Sequence, residues 1–373
     1  MGKRGLVIAA ASCALVLGLA ACGGGGGSTA PATETSPVET SAEAAARAEA
    51  EAQAAAEVEA KTALDEGLGY WFGTGADGYD KEKARTAFQK AADKGNAEGY
   101  YWMGAVMATD TNADRWPKVV DYYQKAADEG CAKGLCGMGV LYATGYGVEK
   151  DPAKAAELYQ QAIDAGELRG YVSLGELYAS GEGVETSGAK AAELYEKALA
   201  SDEFATRNAA RCALGDLYYK GSAEDVEIDG AKAMEYYQAA ADENYAGGWM
   251  GLASLYKNGI GVEADDVKAT EYYANEAKCG AAYNLGVRYE YGYGCEQDHV
   301  KAIELFNQEI ASGKKAAWAM GGLAYMATQG WGMDQDYAVA ADWFRKSLDA
   351  AGPGDSKAVD YANEWLDDIA NNS

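Results

Sequence analysis

The sequence predicts an all-α protein, a solenoid of repeated two-helix units, and three observations predict it. A unit best seen as MGVLYATGYGV at 138–148 and LGELYASGEGV at 174–184 returns in eight copies, whose shared position falls at Gly69, Gly104, Gly139, Gly175, Gly215, Ala253, Gly286 and Gly321. Self-similarity at such a period marks a repeat array. A second block follows each first one, as KAAELY at 154 and 190, KAMEYY at 232, KATEYY at 268 and KAIELF at 301. Both blocks carry an apolar helical face: Tyr171, Leu174, Gly175 and Tyr178 in the first, Ala155, Leu158, Tyr159, Ala162 and Ile163 in the second. Abundant alanine with only 5 prolines in 373 residues favours helix throughout.

The amino terminus is a different region. Lys3 and Arg4 precede an apolar run from Leu6 to Ala21, the order of an export signal and too short for a confident membrane span, which needs about 20 residues. Its end, Leu19-Ala20-Ala21-Cys22, resembles the bacterial lipobox. That resemblance implies removal of 1–21 as a signal peptide, a lipid on Cys22 and a place on the extracytoplasmic face of a bacterial cell membrane. Residues 22–39, with five glycines at 23–27 followed by Ser, Thr, Pro and Glu, read as a flexible tether reaching roughly 20 Å. Residues 40–61 are an Ala/Glu run opened by Thr40 and Glu43 at capping-box spacing. No apolar stripe runs along it, so it reads as a solvated helical stalk.

Charge narrows the partners. The chain has 32 basic and 58 acidic residues, a net of -26, and loss of Lys3 and Arg4 with the leader would make it -28. Such a surface excludes nucleic acid, which needs basic groups on its phosphates, and repels anionic lipid, so membrane contact falls to the lipid on Cys22.

Within the array, a glycine inside a helix costs about 1 kcal/mol relative to alanine, so its recurrence requires close approach of the two helices. Glycine pairs such as Gly145/Gly147, Gly181/Gly183 and Gly259/Gly261 end the first helix at positive φ. Asp80, Asp151, Ser187, Asp229, Asp265, Asp298 and Asp336 read as N-caps of the second helix. These motifs resemble the Sel-one-like repeat (SLR), a relative of the tetratricopeptide repeat, over residues 62–352. The resemblance implies antiparallel helix pairs stacked into a right-handed superhelix that serves protein interaction. The second copy lacks the glycine pair and the fifth carries a longer insert, SAEDVEID. In residues 353–373 a helix from Ser356 to Ala370 is expected to cap the array.

Several motifs suggest chemistry. Ser187/Lys190, Ser254/Lys257 and Ser312/Lys315 have the S-x-x-K spacing of penicillin-binding proteins, and cysteine-rich relatives of the repeat family are linked to β-lactams. The companion S-D-N and K-T-G motifs are missing, so a hydrolase is the weakest reading. Gly73, Gly75 and Gly78 spell G-x-G-x-x-G without a preceding strand. His299, the one histidine, has no ligand at metal spacing and reads as a first-turn helix residue. Asp110, Asn112, Asp114 and Asp121 match four positions of an EF-hand calcium loop, but Arg115 stands where that loop requires glycine. Cys131, Cys136, Cys212, Cys279 and Cys295 are odd in number, and no regular disulfide framework is expected. No cofactor is expected.

Fixed core positions leave the variable ones of each first helix for a partner. Tyr101, Trp102, Met250, Tyr283, Asn284 and Trp318 stand there, and aromatic groups so placed either anchor a partner or fill core. The function expected is a non-enzymatic, membrane-anchored scaffold for other proteins or peptides. A receptor for a small molecule or cell-wall glycan is the alternative.

Overall fold

The computed structural model describes residues 40–74, 78–110, 113–221, 225–312, 316–351 and 356–372. Cys22 and its leader, the glycine tether, Gly75, Asn112 and Lys315 lie outside the described residues. Among the described residues there are seventeen α-helices, and none is long and apolar enough to cross a membrane.

Contacts divide the chain into Met1–Ala52 and Gln53–Ser373. In the first unit, Thr40 and Glu43 close the expected capping box: the Thr40 N–H donates to Glu43 Oε2 at 2.8 Å and the Glu43 N–H to Thr40 Oγ1 at 3.3 Å. Helix α1 (Ser41–Phe72) has no buried residue before Ala60, as its Ala/Glu composition requires.

The second unit is the array. First helices α1, α3 (Ala97–Ala108), α5 (Ala132–Thr144), α7 (Arg169–Ser180), α9 (Phe204–Lys220), α11 (Ala246–Asn258), α13 (Tyr283–Tyr291) and α15 (Ala316–Gln329) alternate with second helices. The latter are α2 (Lys81–Asp93), α4 (Trp116–Asp128), α6 (Pro152–Asp164), α8 (Gly188–Ala198), α10 (Gly230–Asp242), α12 (Asp266–Lys278), α14 (His299–Ser312) and α16 (Tyr337–Ala350). Helix α17 (Ser356–Asn372) follows, packed on α15 and α16 and burying Ala358 and Ala362. Most successive first helices touch one another, whereas second helices chiefly contact first helices. The first helices therefore line the inner face.

Local chemistry explains the boundaries. Asp80, Asp151, Ser187, Asp229, Asp265, Asp298 and Asp336 each accept a first-turn N–H of the second helix, as the sequence predicts. At the other boundary Gly145 and Gly147 take φ of 82° and 71°, a turn that glycine makes without steric cost.

The recurring glycine has a specific partner. A Cβ on Gly139 would collide with the ring of Tyr159, on Gly175 with Tyr195, on Gly215 with Tyr237 and on Gly286 with Phe306. This pairing corrects the register of two copies. Gly69 faces open space, and Gly67 is the glycine against Phe88. In the last copy Gly321 makes only ordinary contact with Tyr361, and Ala324 packs with Phe344 in its place. Spacing along the first helix could not reveal this, because the ring on the second helix sets the register.

The other side of several rings is closed by the next unit. Tyr123 meets Gly104 and Gly137, Tyr237 meets Gly215 and Gly251, and Phe306 meets Gly286 and Gly322. Each such ring, clasped between small residues of successive first helices, ties one unit to the next with dense packing that leaves no room for a methyl group. The fifth copy adds a further tie to the stacking. Asp225 of its insert accepts the N–H groups of Gly188 and Ala189, both at 2.9 Å, and the Ser187 hydroxyl at 3.0 Å, so it caps α8 from the following unit.

Candidate functional site

The clasped rings determine what reaches the inner face. In the middle of the array they are tyrosines, and their polar ends emerge beside the first helices. Tyr237 donates to Asp216 Oδ1 at 2.5 Å, while Tyr159 and Tyr273 hydrogen-bond Ser173 and Ser254. Burial raises the pKa of the Tyr123, Tyr159, Tyr195 and Tyr237 phenols, so each keeps its proton near neutral pH. Toward both ends the equivalent rings are Phe88, Phe306 and Phe344, which bring no hydroxyl.

Two cavities open along this face. One, of about 300 Å³, lies among α7, α8 and α9 and is lined by Glu176, Tyr195, Asp216 and Lys220. Burial raises the Glu176 carboxyl, opposed by the Arg169 charge and helped by that of Asp216, while Lys220 holds Asp216 at 3.0 Å. The other, of about 130 Å³, is lined by Tyr101, Tyr123, Lys133, Cys136 and Arg169, among others. A wider depression of about 810 Å³ runs beside the copy-five insert, where Asp225 already caps α8.

The residues expected to bind a partner divide accordingly. Tyr101 lines the smaller cavity, stacked on Tyr123 with ring centres 5.6 Å apart. Met250 is 38% exposed. Trp102 instead stacks on Phe88 at 5.6 Å and donates to Glu98 at 3.2 Å. The Asn284 amide is held by both oxygens of the buried Glu276, at 3.1 and 3.0 Å. Tyr283 and Trp318 come together with ring centres 6.3 Å apart, and Tyr283 also packs on Phe306. The structure thus unites Tyr283 with Trp318, sets Tyr101 in another part of the array and gives Trp102 and Asn284 to packing.

Sequence reasoning missed Glu176, Asp216 and Arg169. The signal lay in the repeat itself: Glu176 and Asp216 each follow the shared glycine, a position where the other copies carry no acid.

The motifs with catalytic spacing are engaged in the fold. Ser187 caps α8, and Lys190 Nζ sits 5.0 Å from the centre of the Tyr178 ring. The recurring lysine does the same elsewhere, as Lys154 on Tyr142 and Lys301 on Tyr289, both at 4.0 Å. Ser254 and Ser312 hydroxyls donate to the backbone carbonyls of Met250 and Glu309. His299 begins α14 with its ring stacked on Trp331 at 4.9 Å. Asp110 is ion-paired to Lys81 at 2.8 Å and Arg85 at 2.7 Å, Asp114 lies in a short 3-10 turn and Asp121 is exposed on α4. Among the described residues no group of three or more potential ligands gathers to hold a metal.

Cys131, Cys136, Cys212, Cys279 and Cys295 form no disulfide. Cys131 is the non-helical N-cap of α5, and Cys279 Sγ lies 3.3 Å from the Asn244 carbonyl. Burial pushes the Cys136 and Cys212 thiols up to about 12, which keeps them protonated and poorly nucleophilic.

Against this geometry the comparisons read simply. The family model described as Sel1 repeat matches residues 66–96, 120–131, 132–167, 169–202, 208–245, 250–275, 279–308 and 314–351. No curated protein matches the chain. Among solved structures, it is similar to a protective antigen of uropathogenic Escherichia coli displaying an SLR fold, at 25% identity over 87% of this chain and 71% of that one, TM-score 0.42. A Sel1 repeat protein from Oxalobacter formigenes matches at 22% identity over 91% and 98%, TM-score 0.48. Yeast Tom70 matches at 14% identity over 82% and 64%, TM-score 0.55, a likeness of fold.

Proposed function

The chain belongs to the Sel1 repeat family, whose repeats generally mediate protein interactions, and from that premise we propose a membrane-anchored scaffold that holds a segment of another protein along its inner helix face. The observation that supports this most is the pairing of a fixed tyrosine row with variable neighbours. Hydroxyls held by the clasped rings stand beside Glu176, Asp216 and Ser254, and Val140 and Met250 expose 40% and 38% of their surface on first helices. A protein segment, with backbone donors and acceptors and occasional basic side chains, uses such a face. A glycan would stack on flat tryptophan faces, and Trp102 has one covered by Phe88.

Capture of extracytoplasmic proteins from intact cells by the wild-type chain and by a Glu176→Lys/Asp216→Lys variant tests this reading. Loss of captured species on charge reversal, with helicity retained, supports it. An unchanged set counts against it.

The anchor belongs to the same proposal. Cys22 carries the lipid, residues 22–39 are the leash and the array stands off the bilayer at the extracytoplasmic face. Its support is the order of charged, apolar and small residues before Cys22. Two or more acyl chains hold a protein stably at a membrane, which lipoprotein modification supplies. Metabolic labelling with a clickable palmitate should mark the wild type, and a Cys22→Ser variant that still takes up label would refute the anchor.

A further inference from the structure

One of the recurring lysines has lost its ring. Lys83, Lys154, Lys190, Lys232, Lys268 and Lys301 each stand over a tyrosine of the first helix of their own unit, 4.0 to 5.2 Å from the ring centre. Lys118 holds the same place in the second copy. There the residue three after Gly104 is Met107, where Tyr142, Tyr178 and Tyr289 stand three after their own glycines. A thioether offers an ammonium no aromatic face. Lys118 is exposed, and among the described residues its ammonium joins no ring and no ion pair.

A cavity of about 400 Å³ opens at this place. Its walls are the second helices α2 and α4, so it lies apart from the inner face, and Met103 and Met107 of α3 line it between them. Arg85 comes from α2, and Lys118, Asp121, Tyr122 and Lys125 come from α4. The arginine is particular to this wall: the equivalent positions, five after the capping residue of each second helix, carry uncharged side chains such as Ala156, Met234 and Ile303. Lys118 and Lys125, seven residues apart, share one face of α4. Lys125 Nζ lies 5.9 Å from the centre of the Tyr100 ring and pairs with no carboxylate among the described residues. In a chain of 58 acidic and 32 basic residues, this lining has three cations and one carboxylate, Asp121. Arg85 shares Asp110 with Lys81, at 2.7 and 2.8 Å, and has Glu82 at 3.7 Å. The two lysines are left for a ligand to answer.

We propose that this cavity binds a phosphate monoester of a small organic molecule. Lys118 and Lys125 hold the phosphoryl group, the Arg85 charge faces it from α2, and the organic body lies on Met103, Met107 and Tyr122. A phosphate monoester carries a charge of about −1.5 to −2 near neutral pH. Its tetrahedral oxygens meet ammonium groups, which are point charges, whereas the planar fork that suits a carboxylate belongs to Arg85, whose Nη2 already takes Asp110. The volume exceeds that of a phosphate ion and lies in the range of small-ligand sites, and methionine side chains adapt their shape to an apolar group. This site is separate from the inner face and does not depend on the scaffold reading.

The test is calorimetric titration of the full chain at neutral pH with phenyl phosphate, phenyl sulfate and inorganic phosphate. Phenyl phosphate should bind at least about tenfold more tightly than phenyl sulfate, which carries a single charge, and than inorganic phosphate, which lacks the apolar body. Lys118→Gln should weaken phenyl phosphate about tenfold while leaving the thermal midpoint in place, because that side chain has no partner to lose. Met107→Tyr returns the ring found in the other copies, seats Lys118 on it and fills the cavity, so binding should disappear with the net charge unchanged. Lys154→Gln, which removes a lysine already seated on its ring, should leave binding as it is. A wild type that does not bind phenyl phosphate, or that binds all three anions equally, overturns the proposal. So does an affinity that survives both Lys118→Gln and Met107→Tyr, or one that falls as far in Lys154→Gln as in Lys118→Gln, the mark of diffuse charge attraction.

Discussion

A Cβ on Gly175 would come within 2.5 Å of Tyr195 Cε1, and Tyr195 is only 3% exposed, so its ring has nowhere to retreat. Substituting Gly175→Ala should therefore destabilise the array. Overpacking costs typically about 1–3 kcal/mol, while alanine recovers about 1 kcal/mol of helix propensity, leaving a net loss of up to about 2 kcal/mol. The control is Gly69→Ala, at the sequence-equivalent glycine of the first copy, where nothing lies within 4 Å. That variant should gain up to about 1 kcal/mol, since only propensity changes. Thermal melts followed by circular dichroism distinguish the two signs.

The cap that Asp225 places on α8 crosses from one unit to the one before it, so it should matter to the stacking as well as to the helix end. Asp225→Ala removes a carboxylate from three donors and should cost about 1–2 kcal/mol. Hydrogen exchange at the amides of Gly188 and Ala189 should quicken more than at the second-helix starts of other units. Uniform exchange across all units would count against a specific cap.

Glu290 is 3% exposed, and burial pushes its carboxyl up to about 7. Tyr283 and Tyr291 from α13 and Tyr361 from α17 are the titratable groups that feel its charge. Between its ordinary value of 4.5 and about 7 the folded chain holds a proton that the unfolded chain has released. Stability therefore falls as pH rises through that window and is level above it. Glu290→Gln should remove the slope and exceed the wild type at pH 8 by up to about 3 kcal/mol. Parallel pH profiles of the two proteins would contradict the assignment.

Much of this was legible in the sequence, for reasons specific to repeats. Asp80, Asp151, Asp265 and their equivalents could be read as caps because an acid three residues before a periodic lysine has one local role. Gly145 and Gly147 could be read as a turn because φ is set locally. The register at Gly67 and Ala324 could not, since it depends on Phe88 and Phe344 reaching across from another helix. The candidate site was legible only as a stripe. Tyr101 and Met250 stood out as variable residues on a first helix, but the same logic also selected Trp102, which packs on Phe88, and Asn284, which serves Glu276.

Site-specific photocrosslinking on intact cells tests the central claim most directly. A photoreactive residue is placed at Val140 or Met250 on the inner first helices, and at the exposed Gln160 or Glu235 on the second helices. Partner adducts from positions 140 and 250, with none from 160 and 235, are the predicted result. Adducts only from 160 and 235, or equally from all four, would contradict an inner-face scaffold.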